Sequence, residues 1–268
     1  MTETRADEEA PRGIDVRVPN VARMYDYFLG GKDNFRIDRV CAERVREHAP
    51  EVFVMARENR AFLGRAVRYL ADEAGVDQFL DIGAGLPTQE NVHQVAQKIN
   101  PEARTVYVDH DPVVLVHARA LLATDDRTCV IRQDVRAPEK ILTAVDALGL
   151  LDLSRPVAVL LVAVLHFVTD AEDPYGIVRT LLEAVPAGSH LVVSHVEHRP
   201  DLEEAAAQYR DANAPVTLRT ADEIGRMFDG LALVDPGVVQ VTDWRPDEPP
   251  YLGEHRRKWV CGGVGRKP

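Results

Sequence analysis

Carboxylates and glycines recur through the middle of the chain at spacings that suit a small charged ligand. Asp81 stands directly before Ile82-Gly83-Ala84-Gly85. The two glycines let the backbone turn tightly and approach a ligand with no Cβ in the way. Asp109 follows about 24 residues beyond Gly85 and closes the next apolar run. A carboxylate at that remove can accept both hydroxyls of a ribose. Asp134 follows a third apolar run, where it can accept from an exocyclic adenine amine.

The turn departs from the dinucleotide fingerprint. It reads Gly83-Ala84-Gly85-Leu86-Pro87-Thr88, without the third glycine. A pyrophosphate is repelled by an adjacent carboxylate, whereas a methionyl ammonium or a sulfonium is attracted to it. Asp81 therefore favours S-adenosylmethionine over NAD. Pro87 and Thr88 suit a helix start whose N–H groups face a ligand carboxylate. Three functions stay open on these residues: a methyltransferase acting on a small molecule, a protein that binds the cofactor without transferring methyl, and a nucleotide-dependent oxidoreductase.

Methyl transfer is an in-line displacement that needs alignment and sometimes a base. A base should project from the end of strand four or five. His166 occupies the first position and is the candidate catalytic residue; its competing reading is a core histidine bonded to a backbone carbonyl. His195, Glu197 and His198 occupy the second, and for the histidines the structural reading is preferred. Asn59 interrupts an apolar stripe and needs partners, with Arg60 beside it. Asp109-His110-Asp111 and His195-Val196-Glu197-His198 lack a recognised ligand pattern, so no metal is expected. Lys32 follows two glycines without the spacing of a phosphate loop. Arg256, Arg257 and Lys258 read as a solvated strand edge.

The elements that position these residues change character near residue 76. Before it the periodicity predicts helices over Asn20 to Leu29, Ile37 to His48 and Val52 to Ala71, the last with Val52, Met55, Ala56, Asn59, Phe62, Leu63, Ala66 and Leu70 inward. Asn20 can cap the first and Gly30-Gly31 stop it. After it, short strands alternate with helices. Strands are expected at Gln78 to Asp81, Thr105 to Asp109, Cys129 to Gln133, Val157 to Val162, His190 to Ser194, Leu231 to Val234 and Arg257 to Cys261. Helices are expected at Thr88 to Ile99, Val113 to Ala123, Glu139 to Leu148, Tyr175 to Val185, Asp201 to Ala212 and Ala221 to Phe228. This alternation predicts an α/β fold, a mostly parallel sheet with helices on both faces. The division is a tail over 1–17, a helical cap over 18–75 and a ligand-binding domain over 76–268. Asp243 to Glu254, with Pro246, Pro249 and Pro250, is a loop long enough for a lid.

Of the 268 residues 46% are hydrophobic, enough for a sizeable core. The net charge of -11 argues against a nucleic-acid partner and suits a cationic ligand. The polar, acidic N-terminus argues against a secretory signal, and no apolar run suggests a membrane span. Three scattered cysteines, Cys41, Cys129 and Cys261, argue against a disulfide framework and fit the cytoplasm.

The chain resembles class I S-adenosylmethionine-dependent methyltransferases, and more narrowly a bacterial family of S-adenosyl methyltransferase-like proteins. The similarity rests on the run from Ala22 through Tyr25-Asp26-Tyr27-Phe28-Leu29-Gly30-Gly31-Lys32-Asp33-Asn34-Phe35, on Glu58 to Leu63, on Gln78 to Thr88, and on Val106 to Pro112. It continues through Pro186 to Ser189, Phe228 to Gly230, Pro236-Gly237 and Trp244 to Pro246. Ala84 departs from the threonine the family pattern expects. The resemblance implies a Rossmann-like, seven-stranded sheet whose last strand is antiparallel. It implies that Asp81, Gly83 and Gly85 meet the methionyl part, Asp109 the ribose and Asp134 the adenine. It further implies that Tyr25 lies beside the cofactor and that Lys32-Asp33-Asn34 folds over it.

Overall fold

Strands buried on both faces carry the fold. Gln78–Ile82 (β1), Arg104–Asp109 (β2), Thr128–Arg132 (β3), Ala158–Val162 (β4) and His190–Val196 (β5) pair in parallel. In the computed structural model, which describes residues 15–87, 90–122, 126–247 and 258–268, the order is β3-β2-β1-β4-β5-β8-β6. Val260–Arg266 (β8) runs antiparallel to β5, and the two-residue strands Ala232–Leu233 (β6) and Val239–Gln240 (β7) both pair antiparallel with β8. The sheet thus has eight strands among the described residues rather than seven, the added one being β7. The order reverses between β1 and β4, which opens a crevice beyond their carboxyl ends.

The pleat decides which way each acid points, since successive side chains face opposite sides. Phe79 packs into the core on one face of the sheet, while Leu80 and Ile82 pack into the core on the other. Asp81 shares the Phe79 side. That side is covered by Val52–Asp72 (α3) and Val92–Ile99 (α4), whose Met55, Phe62, Leu70, Val92 and Val95 join Phe79, Leu160 and Val192 in one cluster. Pro138–Leu148 (α6 in chain order, after Pro112–Leu122, α5) and Pro174–Glu183 (α7) cover the opposite face through Ile141, Val145 and Leu181.

The N-terminal helices Val21–Phe28 (α1) and Arg36–His48 (α2) continue the α3 side, so cap and sheet share one hydrophobic cluster. Asn20 caps α1 as expected, accepting from the N–H groups of Ala22 and Arg23. A fully buried pair, Arg23 and Asp38 at 2.9 Å, locks α1 to α2.

Several boundaries move. The helix expected from Thr88 begins only at Val92; Thr88 itself lies outside the described residues, as do 1–14 of the expected tail. The expected helix over 201–212 is broken into a 3-10 turn, Glu203–Ala207 (α8) and a second 3-10 turn at Gln208–Asp211. The 221–228 helix is Ala221–Gly225 (α9) extended by a 3-10 turn. The last strand starts three residues later than expected and runs to Arg266. Residues 248–254 of the expected lid lie outside the described residues, as do Arg256 and Arg257 of the expected strand edge. Lys258 is not a free edge cation: its amine meets Asp243 at 2.5 Å.

Candidate active site

The glycine turn is forced by crowding. Gly83 has φ of +76°, and a Cβ built there would sit 2.4 Å from Val164 Cγ2. The N–H groups of Gly83 and Ala84 both donate to Val108 O, at 2.8 and 3.2 Å. Asp109 then splints the turn to β2. Its Oδ2 accepts from Gly85 N at 3.0 Å and its Oδ1 from Asp111 N at 2.9 Å. Burial pushes the Asp109 carboxyl up while those two N–H groups hold it down. Asp81 has less help. Burial, reinforced by the charge of Asp109 and opposed by Arg60, pushes it up to about 7.

These groups border a cleft of about 1010 Å³, part of it open to solvent. Tyr25, Asp81, Gly83, Gly85, Asp109 and Asp134 all line it, so the structure brings these six expected residues together. Asp134 arrives with a partner that the sequence reading omits. Arg136 grips it through Nε on Oδ1 at 2.9 Å and Nη2 on Oδ2 at 2.7 Å. Arg60 also lines the cleft and donates to Glu90 O and Asn91 Oδ1. Asn20 closes one side: its amide donates to Asp111 Oδ2, tying the cap to the loop after β2. None of Lys32, Asp33 and Asn34 lines the cleft. Asp33 N and Asn34 Nδ2 bond Asp26 Oδ2 instead, at 2.9 and 2.8 Å.

A second chamber, of about 730 Å³, lies next to the first. Val21, Tyr25, Asn59, Ala163 and Phe167 line both. This shared wall is held by a relay. Ala163 N donates to Ser194 Oγ at 3.0 Å, Ser194 Oγ donates to Asn59 Oδ1 at 2.5 Å, and Asn59 Nδ2 donates to Tyr25 Oη at 2.9 Å. Tyr25 in turn donates to Ala56 O at 3.1 Å. The inward asparagine is thus satisfied by side chains rather than loop carbonyls. Ala163 holds φ of +56°, a left-handed conformation unusual outside glycine, at the point where the chambers meet.

A family model described as S-adenosyl methyltransferase matches residues 7–268. The chain belongs to this family. It is similar to a solved DUF574 family protein from Streptomyces avermitilis, at 42% identity over 95% of this chain and 99% of that one, with a TM-score of 0.89. It is likewise similar to a candidate methyltransferase from Thermobifida fusca, at 43% identity over 97% and 99%, with a TM-score of 0.91. No curated protein matches. The chain is therefore an S-adenosylmethionine-dependent methyltransferase with a Rossmann-like sheet.

In this methyltransferase His166 lines the second chamber, not the cleft of the acids. It sits in a 3-10 turn after β4, and its carbonyl accepts from Thr217 N at 2.7 Å. Its Nδ1 is buried and finds no hydrogen-bond partner among the described residues. Burial holds the ring well below the usual imidazole range, with His195 and Arg219 adding to the effect. His195 is spent on structure: Nδ1 bonds Val196 O at 2.7 Å and Nε2 accepts from Arg219 Nη1 at 2.9 Å. His198 is at the surface, 3.2 Å from Glu203. Arg219 is the residue that sequence reasoning missed most completely. It is 2% exposed and also bonds Leu165 O, Val168 O and Asp170, gathering the loop that carries His166. No motif marks it; an arginine between Leu218 and Thr220 reads as surface.

Among the described residues no group of three or more His, Cys, Asp or Glu is placed to hold a metal, and no helix is long and apolar enough to cross a membrane.

Proposed function

We propose that the methyltransferase acts on a small molecule, with the donor in the acid-lined cleft, the acceptor in the second chamber and His166 as the base. The cleft suits the donor by its charges. Asp81 and Asp109 are buried acids held above their ordinary values, and such groups gain from a cation placed beside them. That is the observation that carries the reading. S-adenosylmethionine supplies a methyl group already activated by a sulfonium. Asp81 accepts from its ammonium, Arg60 faces its carboxylate, and the Gly83–Gly85 backbone passes close to the methionyl chain. Asp109 keeps lone pairs beyond its two backbone bonds for the ribose hydroxyls. Asp134, although gripped by Arg136, keeps lone pairs that an adenine amine can use. Tyr25 forms the wall beside the methyl group, and residues 18–75 act as a cap over 76–268.

His166 stands on the acceptor side, neutral and with a free ring nitrogen, as a base requires. A reducing cytoplasm suits Cys41, Cys129 and Cys261, all free thiols. Labelled donor incubated with a cell extract tests the small-molecule reading. Label should enter the low-molecular-weight fraction; label confined to protein or nucleic acid would refute it. His166→Ala should lower turnover about 100-fold or more while leaving donor affinity unchanged. Unchanged turnover in that variant would remove His166 from the chemistry.

A further inference from the structure

The chamber beyond the shared wall carries information about the acceptor. Its lining contains no Asp, Glu, Lys or Arg among the described residues. Its wall comes from every part of the cap: Phe28 of α1, Val45 of α2, Met55 of α3, with Leu202, Ala205 and Tyr209 closing from the segment around α8. Side chains that bring nitrogen or oxygen to the wall are few: Tyr25, Asn59, His166, Tyr209 and Trp259. The Tyr25 hydroxyl is spent on Ala56 O and Asn59, and both ends of the Asn59 amide are spent on Tyr25 and Ser194. His166, also on the wall, has a buried Nδ1 that finds no partner among the described residues.

An ionised acceptor would have to leave water for this wall without a counter-charge, which costs far more than an apolar surface returns. An uncharged acceptor with one hydroxyl meets no such penalty. It can bury its body on apolar and aromatic side chains and direct its single polar group at His166. Phe167 packs against His166 at 4.3 Å between ring centroids, with the rings 59° apart, and against Tyr209 at 6.1 Å, with the rings 51° apart, so the wall near His166 is aromatic.

Resting on the donor reading above, we infer that the acceptor is an uncharged, largely apolar hydroxyl compound, with an aromatic ring, methylated on oxygen. The acceptor oxygen forms a bond to the methyl carbon as the carbon–sulfur bond breaks. The sulfur leaves as a neutral thioether, and the hydroxyl proton passes to His166, which returns it to solvent. The sulfonium charge is thereby replaced by the proton, and no other reactant is needed. His166 does not need to be a strong base here, because the hydroxyl becomes acidic as its oxygen bonds carbon.

Three compounds on one ring system separate the cases: 2-naphthol, 2-naphthoate and 2-naphthylmethylammonium. Each is titrated calorimetrically into the full chain saturated with S-adenosylhomocysteine. The naphthol should bind at least about tenfold tighter than either ion. Mass spectrometry after incubation with S-adenosylmethionine should find the methyl ether of the naphthol. Ala206→Phe, which fills the chamber from α8, should abolish naphthol binding and leave S-adenosylhomocysteine affinity unchanged. Equal binding of the three compounds, tighter binding of an ion, or binding of none overturns the inference, whatever the variant does. Failure of S-adenosylhomocysteine to bind in the first titration is a different result, and it overturns the donor reading itself.

Discussion

A carboxyl buried at the end of β1 ionises readily only when something positive sits beside it. Asp81 is 5% exposed, and its value rises from 3.8 to about 7. The folded value lies above the unfolded one, so the protonated form favours folding. The stability this group contributes is full below about pH 4 and drains away as pH climbs to about 7. The ceiling on the loss is on the order of 4 kcal/mol. Asp81→Asn should therefore flatten the decline of ligand-free stability between pH 4 and 8, read from urea titrations across that range. An identical pH profile in the variant would show that Asp81 is not the group responsible. The neighbouring glycine makes a second test. Gly83→Ala places a methyl against Val164 and forces an alanine to φ of +76°. It should cost more than about 1 kcal/mol. Adding Val164→Ala should recover part of the loss, the steric part, and thermal melting of the two variants measures the share. No recovery would mean that backbone strain alone sets the requirement.

Elements explain which of these residues the sequence could reveal. β4 is a continuous apolar run, and β1 and β5 hold shorter ones, because both faces are covered, and such runs are legible. The acids at the strand ends therefore stood out, and the cleft that gathers Tyr25, Asp81 and Asp109 was foreseeable. β8 was legible only at its start, Val260-Cys261; the expected strand stops there, before Gly262-Gly263-Val264-Gly265, and glycine weakens a strand. Packing is tight there. A Cβ at Gly262 would lie 3.0 Å from Phe62 and Val241, and one at Gly265 would lie 2.9 Å from Leu231. The second chamber was illegible for another reason: its walls come from positions between Val21 and Val260 that meet only after folding. The cap prediction belongs at this scale. Asn20 ends α1 and bonds Asp111, joining two elements through one side chain. Asn20→Ala should cost about 1 kcal/mol for the cap alone. It should also speed hydrogen exchange across 21–28 relative to the strands. Equal protection in the variant would mean that the buried Arg23–Asp38 pair holds α1 without help.

At the scale of the whole molecule, the helical cap and the sheet are parts of one core. Phe62 and Leu70 of α3 pack in the same cluster as Phe79, Leu160 and Val264 of the sheet. A cap added to a finished domain would melt separately. This one should not: calorimetry should show a single transition, shifted upward by S-adenosylhomocysteine. Two separated transitions would mean that residues 18–75 form an independent unit.

The division of the interior by one shared wall has a consequence for descent. The acid-lined cleft draws on the turn after β1 and the ends of β2 and β3. The second chamber draws mainly on side chains of α2, α3 and the segment around α8. Val45, Met55, Leu202 and Ala206 line the second chamber and not the acid-lined cleft. Among the described residues only Val21, Tyr25, Asn59, Ala163 and Phe167 line both. With donor and acceptor divided as proposed, a lineage built on this plan can try one acceptor after another while its inherited donor site stays as it was.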